Sequence, residues 1–306
     1  ESLTSGNAYI NGFANALKMD VTTAQGSLDA DDATMIIYKF EGQDLQLFKK
    51  GTANAEKFTL AFWVKSTKTG THVVELFDKD NTRHVSGTYS ISTTNTWEHK
   101  VVVFPADTTG VFGDDNARSL DINWFLSAGT NYTSGTLQTS WGGQADTTRA
   151  VGQVNTVDNT SNNWHITGVQ LEVGEYSSTT LPPFQFESFS ENLARCQRYF
   201  LFTGGGSNYT SHGTGVEASS TSGYCNVPMS TVMRTTPSIT KRDTLTMFDG
   251  NGESDVTSIG TPHYGKQGTV LQLQLTASGG GLSDNAGLIV YSDNSSTAGF
   301  LIDAEL

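Results

Sequence analysis

The run Phe58-Thr59-Leu60-Ala61-Phe62-Trp63-Val64-Lys65 alternates with period two, and most apolar runs in the chain share its character and length. Residues two apart point to one face of a strand. Phe58, Leu60, Phe62 and Val64 therefore form an inward row, and Trp63 projects from the other face. Strands this short and one-sided bury their apolar rows by stacking sheet on sheet. More of them follow. Val73–Phe77 and the segment after Arg83 bracket Asp78-Lys79-Asp80-Asn81, a hairpin tip. Trp97–Phe104 and Leu120–Leu126 come next, then a long polar excursion from Ser127 to Asn163. Residues 164–173 close the set, with Val169, Leu171 and Val173 expected inward and Gln170 and Glu172 outward.

Pro182-Pro183 then interrupts the chain, since neither residue can donate to a sheet ladder. Ser188 and Glu191 have capping-box spacing, and Phe189, Leu193, Cys196 and Phe200 recur at helical spacing. Glu191 and Arg195 are placed for a favourable i,i+4 pair. Beyond this helix come short strands again: Arg198–Thr203, Tyr224–Met229, Val270–Leu275, Leu288–Tyr291 and Phe300–Ile302. The pattern predicts a mainly β chain in three parts. A jelly-roll β-sandwich takes residues 1–180, a Pro-containing linker and amphipathic helix 181–200, and a second, smaller antiparallel β domain 201–306.

With 306 residues the chain is long enough for two cores. Thirty-two glycines against six prolines, without a Gly-X-Y period, indicate tight turns rather than collagen. A net charge of −13 and no basic stripe exclude a nucleic-acid surface. No stretch approaches the ~20 apolar residues of a membrane span. Cys196 and Cys225 are too few for a disulfide framework and read as two buried thiols, as in a protein folded in a reducing cytosol. The chain opens at Glu1 without a Met, so the first domain is expected to be incomplete at its N-terminus.

Two regions resemble a known family. Phe58–Lys65, the Asn95-Thr96-Trp97 strand start and Trp164–Gly174 resemble, in that order, the carbohydrate-binding-module-like jelly rolls of bacteriophage tail-fibre and receptor-binding proteins. Cys196-Gln197-Arg198-Tyr199-Phe200, Val227-Pro228-Met229, Met233–Pro237 and the terminal Asp303-Ala304-Glu305-Leu306 resemble the small C-terminal β domain of the same tail proteins. The chain departs from the family's pattern at Gln185, where an acidic residue is usual, and at Glu187, where a basic one is commoner. The resemblance implies a virion protein made in the host cytoplasm, assembled as a homotrimer with other tail or capsid proteins, and adhering to host-surface polysaccharide. It implies no cofactor.

A pyranose presents an apolar C–H face that stacks on an aromatic ring, while amides and carboxylates bind its hydroxyls. The candidate glycan contacts are Trp141 and Tyr132 in the polar excursion, and Trp63 on the outer face of its strand. Packing against a sheet competes with this role for all three, and for Trp97 and Trp164. Asp249, Asn251, Glu253 and Asp255 form an acidic tip with calcium-like residue types, but they lack the twelve-residue loop with its terminal bidentate Glu, and a turn explains them. The histidines show no metal spacing, no Gly-x-Ser-x-Gly elbow is present, and no catalytic residue is assigned. Sequons at Asn131, Asn159, Asn208 and Asn294 match chance in a chain so rich in Asn, Ser and Thr. The expected function is therefore adhesion. Its alternatives are a purely architectural virion part and a glycan-depolymerising enzyme with an appended binding module.

Overall fold

The computed structural model describes residues 1–260 and 268–306, and the chain is mainly β. It divides into two compact units, Glu1–Gln185 and Phe186–Leu306. The first holds β1 (Leu17–Asp20), β2 (Ala33–Glu41), β3 (Phe58–Ser66), β4 (Gly70–Asp78), β5 (Arg83–Ile91), β6 (Glu98–Phe104), β7 (Arg118–Ala128), β8 (Gly142–Gly143) and β9 (Asn163–Val173). Two antiparallel sheets result, in the orders β1-β9-β3-β6 and β2-β7-β4-β5-β8. Between β3 and β9 the chain crosses repeatedly from one sheet to the other, as a jelly roll does.

The inward row of β3 is fully buried, as its alternation requires, and meets Val74 and Leu76 of β4 and Leu120, Ile122 and Trp124 of β7. Each such large side chain contributes roughly 1.5–3 kcal/mol on leaving water. Phe62 stands edge-on to Tyr89, at 5.0 Å between ring centroids, and to Trp124 at 5.9 Å. These contacts fix the spacing of the sheets as well as their attraction.

The inward assignment of β9 holds for only part of the strand. Trp164 and Ile166 face the core, and Leu171 and Val173 pack against it, but Val169 is exposed. A bulge explains the change of parity: Ala61 pairs with Gln170 whereas Trp63 pairs with Thr167, and Gly168 between them has φ +58°. One extra residue turns Val169 outward.

Residues 1–57, where the alternation marks no strand, supply β1 and the edge strand β2. The N-terminal segment also covers the outer side of the first sheet, where Leu3, Ala8, Phe13, Ala16 and Trp97 cluster with Trp63 and Phe184.

In the second unit the helix runs Phe189–Gln197, and its capping box is present at Ser188 and Glu191. The Glu191 carboxylate is taken up by the Ser188 hydroxyl and N–H, so Arg195 pairs with Glu187 instead of Glu191. The helix buries none of its residues: Phe189 is 82% exposed, and Leu193 and Phe200 are exposed beside it. Cys196 is likewise exposed, against expectation, because it lies on this uncovered stripe; Cys225 is buried.

The helix leads to β10 (Phe200–Phe202), β11 (Ser211–Ser219), β12 (Ser222–Pro228), β13 (Ser238–Arg242), β14 (Leu245–Phe248), β15 (Glu253–Ile259), β16 (Val270–Ala277), β17 (Gly287–Ser292) and β18 (Gly299–Asp303). Six of them close an antiparallel barrel in the order β11-β12-β16-β15-β14-β17, and β10-β18-β13 form a separate sheet. Closure removes the open edges that short strands otherwise leave. Cys225, Leu273, Met247 and Val290 lie at the barrel's core. No helix among the described residues is long and apolar enough to cross a membrane.

A Cβ on Gly168 would stand 2.5 Å from the Phe13 ring, on a backbone that side chains rarely adopt. Gly168→Ala is expected to cost the sandwich about 1–3 kcal/mol in denaturant unfolding. An unchanged midpoint would show that the bulge does not hold the strand's parity.

Candidate functional site

The excursion between β7 and β9 folds back over the outer face of the five-stranded sheet. Glu75 of β4 and Asn123 of β7 stand directly opposite each other there, and both are buried. Arg149 reaches in from the excursion with Nε and Nη2 each 2.8 Å from a Glu75 oxygen, and Asn123 Nδ2 donates at 2.7 Å. His84 Nδ1 lies 3.0 Å from Glu75 Oε1, within ion-pair range but without hydrogen-bond geometry. Burial opposes ionisation of Glu75, and the Arg149 hydrogen bonds overcome it, so the carboxyl is held below its ordinary range. The rings of Phe77, Phe125 and Tyr132 surround the guanidinium at 5.2, 5.8 and 5.9 Å. Tyr132 is thus half-buried and covers a paired cation.

Trp141 does the same at a second cluster. β8 pairs with the start of β5 and positions the preceding Trp141. Its ring lies 5.0 Å from the Lys50 ammonium, as does Phe112, and its Nε1 donates to the Pro105 carbonyl at 2.8 Å. Lys50 is fully buried. Its ammonium bonds Asp78, Asp107 and the Thr109 and Gly110 carbonyls, and Arg83 grips Asp107 through Nε at 2.9 Å and Nη2 at 3.0 Å. The hairpin tip expected at Asp78–Asn81 is present, and its first residue is a buried counter-ion. A cavity of about 390 Å³ adjoins the cluster, lined by Leu45, Gln46, Lys49, Lys50, Val111 and Phe112 among others.

Trp63 is half-buried and lies tilted on His99 at 5.0 Å. Trp97 and Trp164 are buried in the structure's cores. The three candidate rings belong to three separate apolar clusters, so the fold does not bring them together.

In the second unit, Asp249 Oδ1 accepts the N–H groups of Gly252 and Asn251, and Oδ2 that of Ser283, which hold its carboxyl down at about 2. The Asn251 amide donates to Ser283 Oγ at 3.4 Å. Glu253 accepts from the Tyr291 hydroxyl and Asp255 from the Thr246 hydroxyl. Asp249 and Asn251 thus close one turn onto Ser283, while Glu253 and Asp255 each accept from a hydroxyl on a different strand. No group of three His, Cys, Asp or Glu among the described residues is arranged to hold a metal.

Two groups escape sequence reading because they lie on β11, whose glycines and polar residues suggest a loop. Glu217 is buried, and neither carboxylate oxygen is hydrogen-bonded among the described residues; burial, and then the charge of Asp249, push its pKa up to about 7. His212 is also buried. Thr203 Oγ1 accepts the Phe300 N–H at 3.0 Å and lies within hydrogen-bond distance of His212 Nδ1, at 3.0 Å. Burial lowers the pKa of His212, and its Nε2 has no hydrogen-bond partner among the described residues. His212 lines a cavity of about 250 Å³ with Gln197, Leu201, Pro228 and Ser230.

Lys50→Met leaves the buried Asp78 carboxylate without its cation and is expected to destabilise the sandwich by about 3–5 kcal/mol in denaturant unfolding, with partial recovery on adding Asp78→Asn. Equal losses in the single and double variants would contradict the pairing. Glu217 holds its proton in the folded barrel above the pH at which the unfolded chain loses it. Its contribution is therefore full below about pH 4.5 and falls as pH rises through about 7. Glu217→Gln is expected to raise the barrel's Tm at pH 8 by roughly 5 °C relative to wild type and to change little at pH 4. The same Tm difference at both pH values would contradict a buried, proton-holding Glu217.

No family model matches the chain, and no match was found among the curated proteins.

Proposed function

We propose that the chain is an external component of a bacteriophage tail that adheres to host-surface glycan. The observation that carries this reading is the seam. Trp164–Val173 lies in the last strand of a β-sandwich, and Leu193–Phe200 spans the second half of a capped helix and the start of β10. These are the segments whose residues resemble phage tail proteins. Supporting it, the chain displays exposed tyrosines such as Tyr38 and Tyr209 on a surface rich in hydroxyl and amide side chains. Contacts of this kind are individually weak, and copy number multiplies them through effective concentration.

The architectural reading has one observation in its favour. Phe186, Phe189, Leu193 and Phe200 are exposed along and beside one helix, which is the kind of surface a homotrimer covers. The two readings agree on assembly and differ on whether sugar is bound.

The purified chain is tested against immobilised bacterial lipopolysaccharides and capsular polysaccharides, each paired with its periodate-oxidised form. Periodate cleaves vicinal diols and spares the rest of the polymer. Saturable capture that oxidation abolishes is the expected result. Absence of capture, or equal capture of oxidised polymers, contradicts adhesion and leaves the architectural role.

A further inference from the structure

We propose that the outer wall of the barrel around Tyr209 and Tyr291 is a binding site for a neutral pyranose unit. The proposal rests on the adhesive reading and locates it on the second unit, at residues none of the earlier candidates included. Tyr209 combines two features that folding alone does not favour. The residue is 61% exposed, and its backbone lies in the left-handed region at φ +62°. A bulky side chain there is strained, and retained strain points to use. Three glycines, Gly204, Gly205 and Gly206, stand just upstream, yet the strained position carries a tyrosine.

The strain is held by hydrogen bonds that fix the backbone from which the ring projects. Tyr209 N–H donates to the Ser292 carbonyl at 3.0 Å, and Ser292 N–H returns the bond to Thr210 at 3.0 Å. Thr210 N–H donates to Ser292 Oγ at 2.9 Å, and the Thr210 hydroxyl closes the turn onto the Ser207 carbonyl at 2.8 Å. A backbone ordered before binding loses little entropy when a sugar stacks on the ring it carries.

Its neighbours supply the rest of a saccharide site. The Tyr291 ring lies 6.1 Å from that of Tyr209, tilted by 41°. On β17, Leu288 and Val290 fill the barrel while Ile289 and Tyr291 alternate outward, with Phe248 and Thr246 of β14 beside them in register. The Tyr291 hydroxyl donates to Glu253 Oε1 at 2.8 Å. Asn208 Nδ2 donates to Asn294 Oδ1 at 2.8 Å, and among the described residues the other amide oxygen and nitrogen of the pair bond no protein group. Two rings for a C–H face and a donor–acceptor amide pair for hydroxyls match a pyranose. Charge selects which pyranose. Glu253 and Asp293 both act electrostatically on Tyr291, and the chain carries −13, so uronic and sialic acids are repelled.

The test measures capture by the full chain of a polysaccharide retained in the adsorption assay, with neutral methyl hexosides or glucuronate as competitors. Tyr209→Ala and Tyr291→Ala are expected to weaken capture by about tenfold or more, and Trp141→Phe by less than about twofold. The neutral hexosides are expected to compete and glucuronate not to. Tyr209→Gly separates use from damage: it relieves the backbone, so it is expected to lose capture while raising the barrel's Tm by about 3 °C. Undiminished capture by Tyr209→Ala overturns this site and leaves the adhesive reading standing. Competition by glucuronate in place of the hexosides overturns the ligand class. Absence of capture by the wild type overturns the adhesive reading, and the site with it.

Discussion

A one-sided strand must have its apolar row covered, and in this chain that requirement is met twice, by different means. In the first unit two sheets press together, and Phe58, Leu60, Phe62 and Val64 are the row on which both depend. In the second unit the sheet closes on itself, and Leu271, Leu273 and Leu275 turn inward with Val290 and Met247. Everything polar follows from what those cores leave outside. A sandwich leaves two outer faces, and the excursion between β7 and β9 covers one of them at the cost of burying ions.

Those buried ions decide the roles of the loop aromatics. Arg149 enters the outer face because Glu75 grips it in a fork, and Lys50 is enclosed because Asp78, Asp107 and two carbonyls saturate it. Once each cation is paired, an aromatic face over it adds about 0.5–2 kcal/mol and excludes water. Tyr132 and Trp141 occupy those positions. A ring engaged in this way offers little open face to a ligand, which turns attention to rings without such work. Tyr209 is the clearest of them.

The strands that could be read from sequence are those whose alternation is uninterrupted, such as β3 and β7. Where a bulge breaks parity, reading fails at the break: Val169 is turned outward by Gly168, and the pairing of β2 with β7 shifts register twice, at the extra β7 residues Ser119 and Leu126. β11 was illegible because two of its residues are glycines needed for close approach; a Cβ on Gly215 would lie 1.7 Å from the Tyr224 carbonyl. The capping box was legible because it is local, whereas the Arg195 partner was not, since Glu191 is drawn into the cap. Lys49 and Lys50 look alike in sequence. Only contacts with the distant Asp78 and Asp107 make one of them a buried ion. Tyr209 carries no sequence signal, because its distinction is a dihedral angle.

Recognition is proposed to lie on the barrel wall, with the excursion's aromatics serving the fold. Amide hydrogen exchange on the full chain, with and without a captured polysaccharide, tests it most directly. The account predicts added protection at residues 207–210 and 289–294, with residues 129–149 unchanged. Protection confined to 129–149 would contradict it and return recognition to Tyr132 and Trp141.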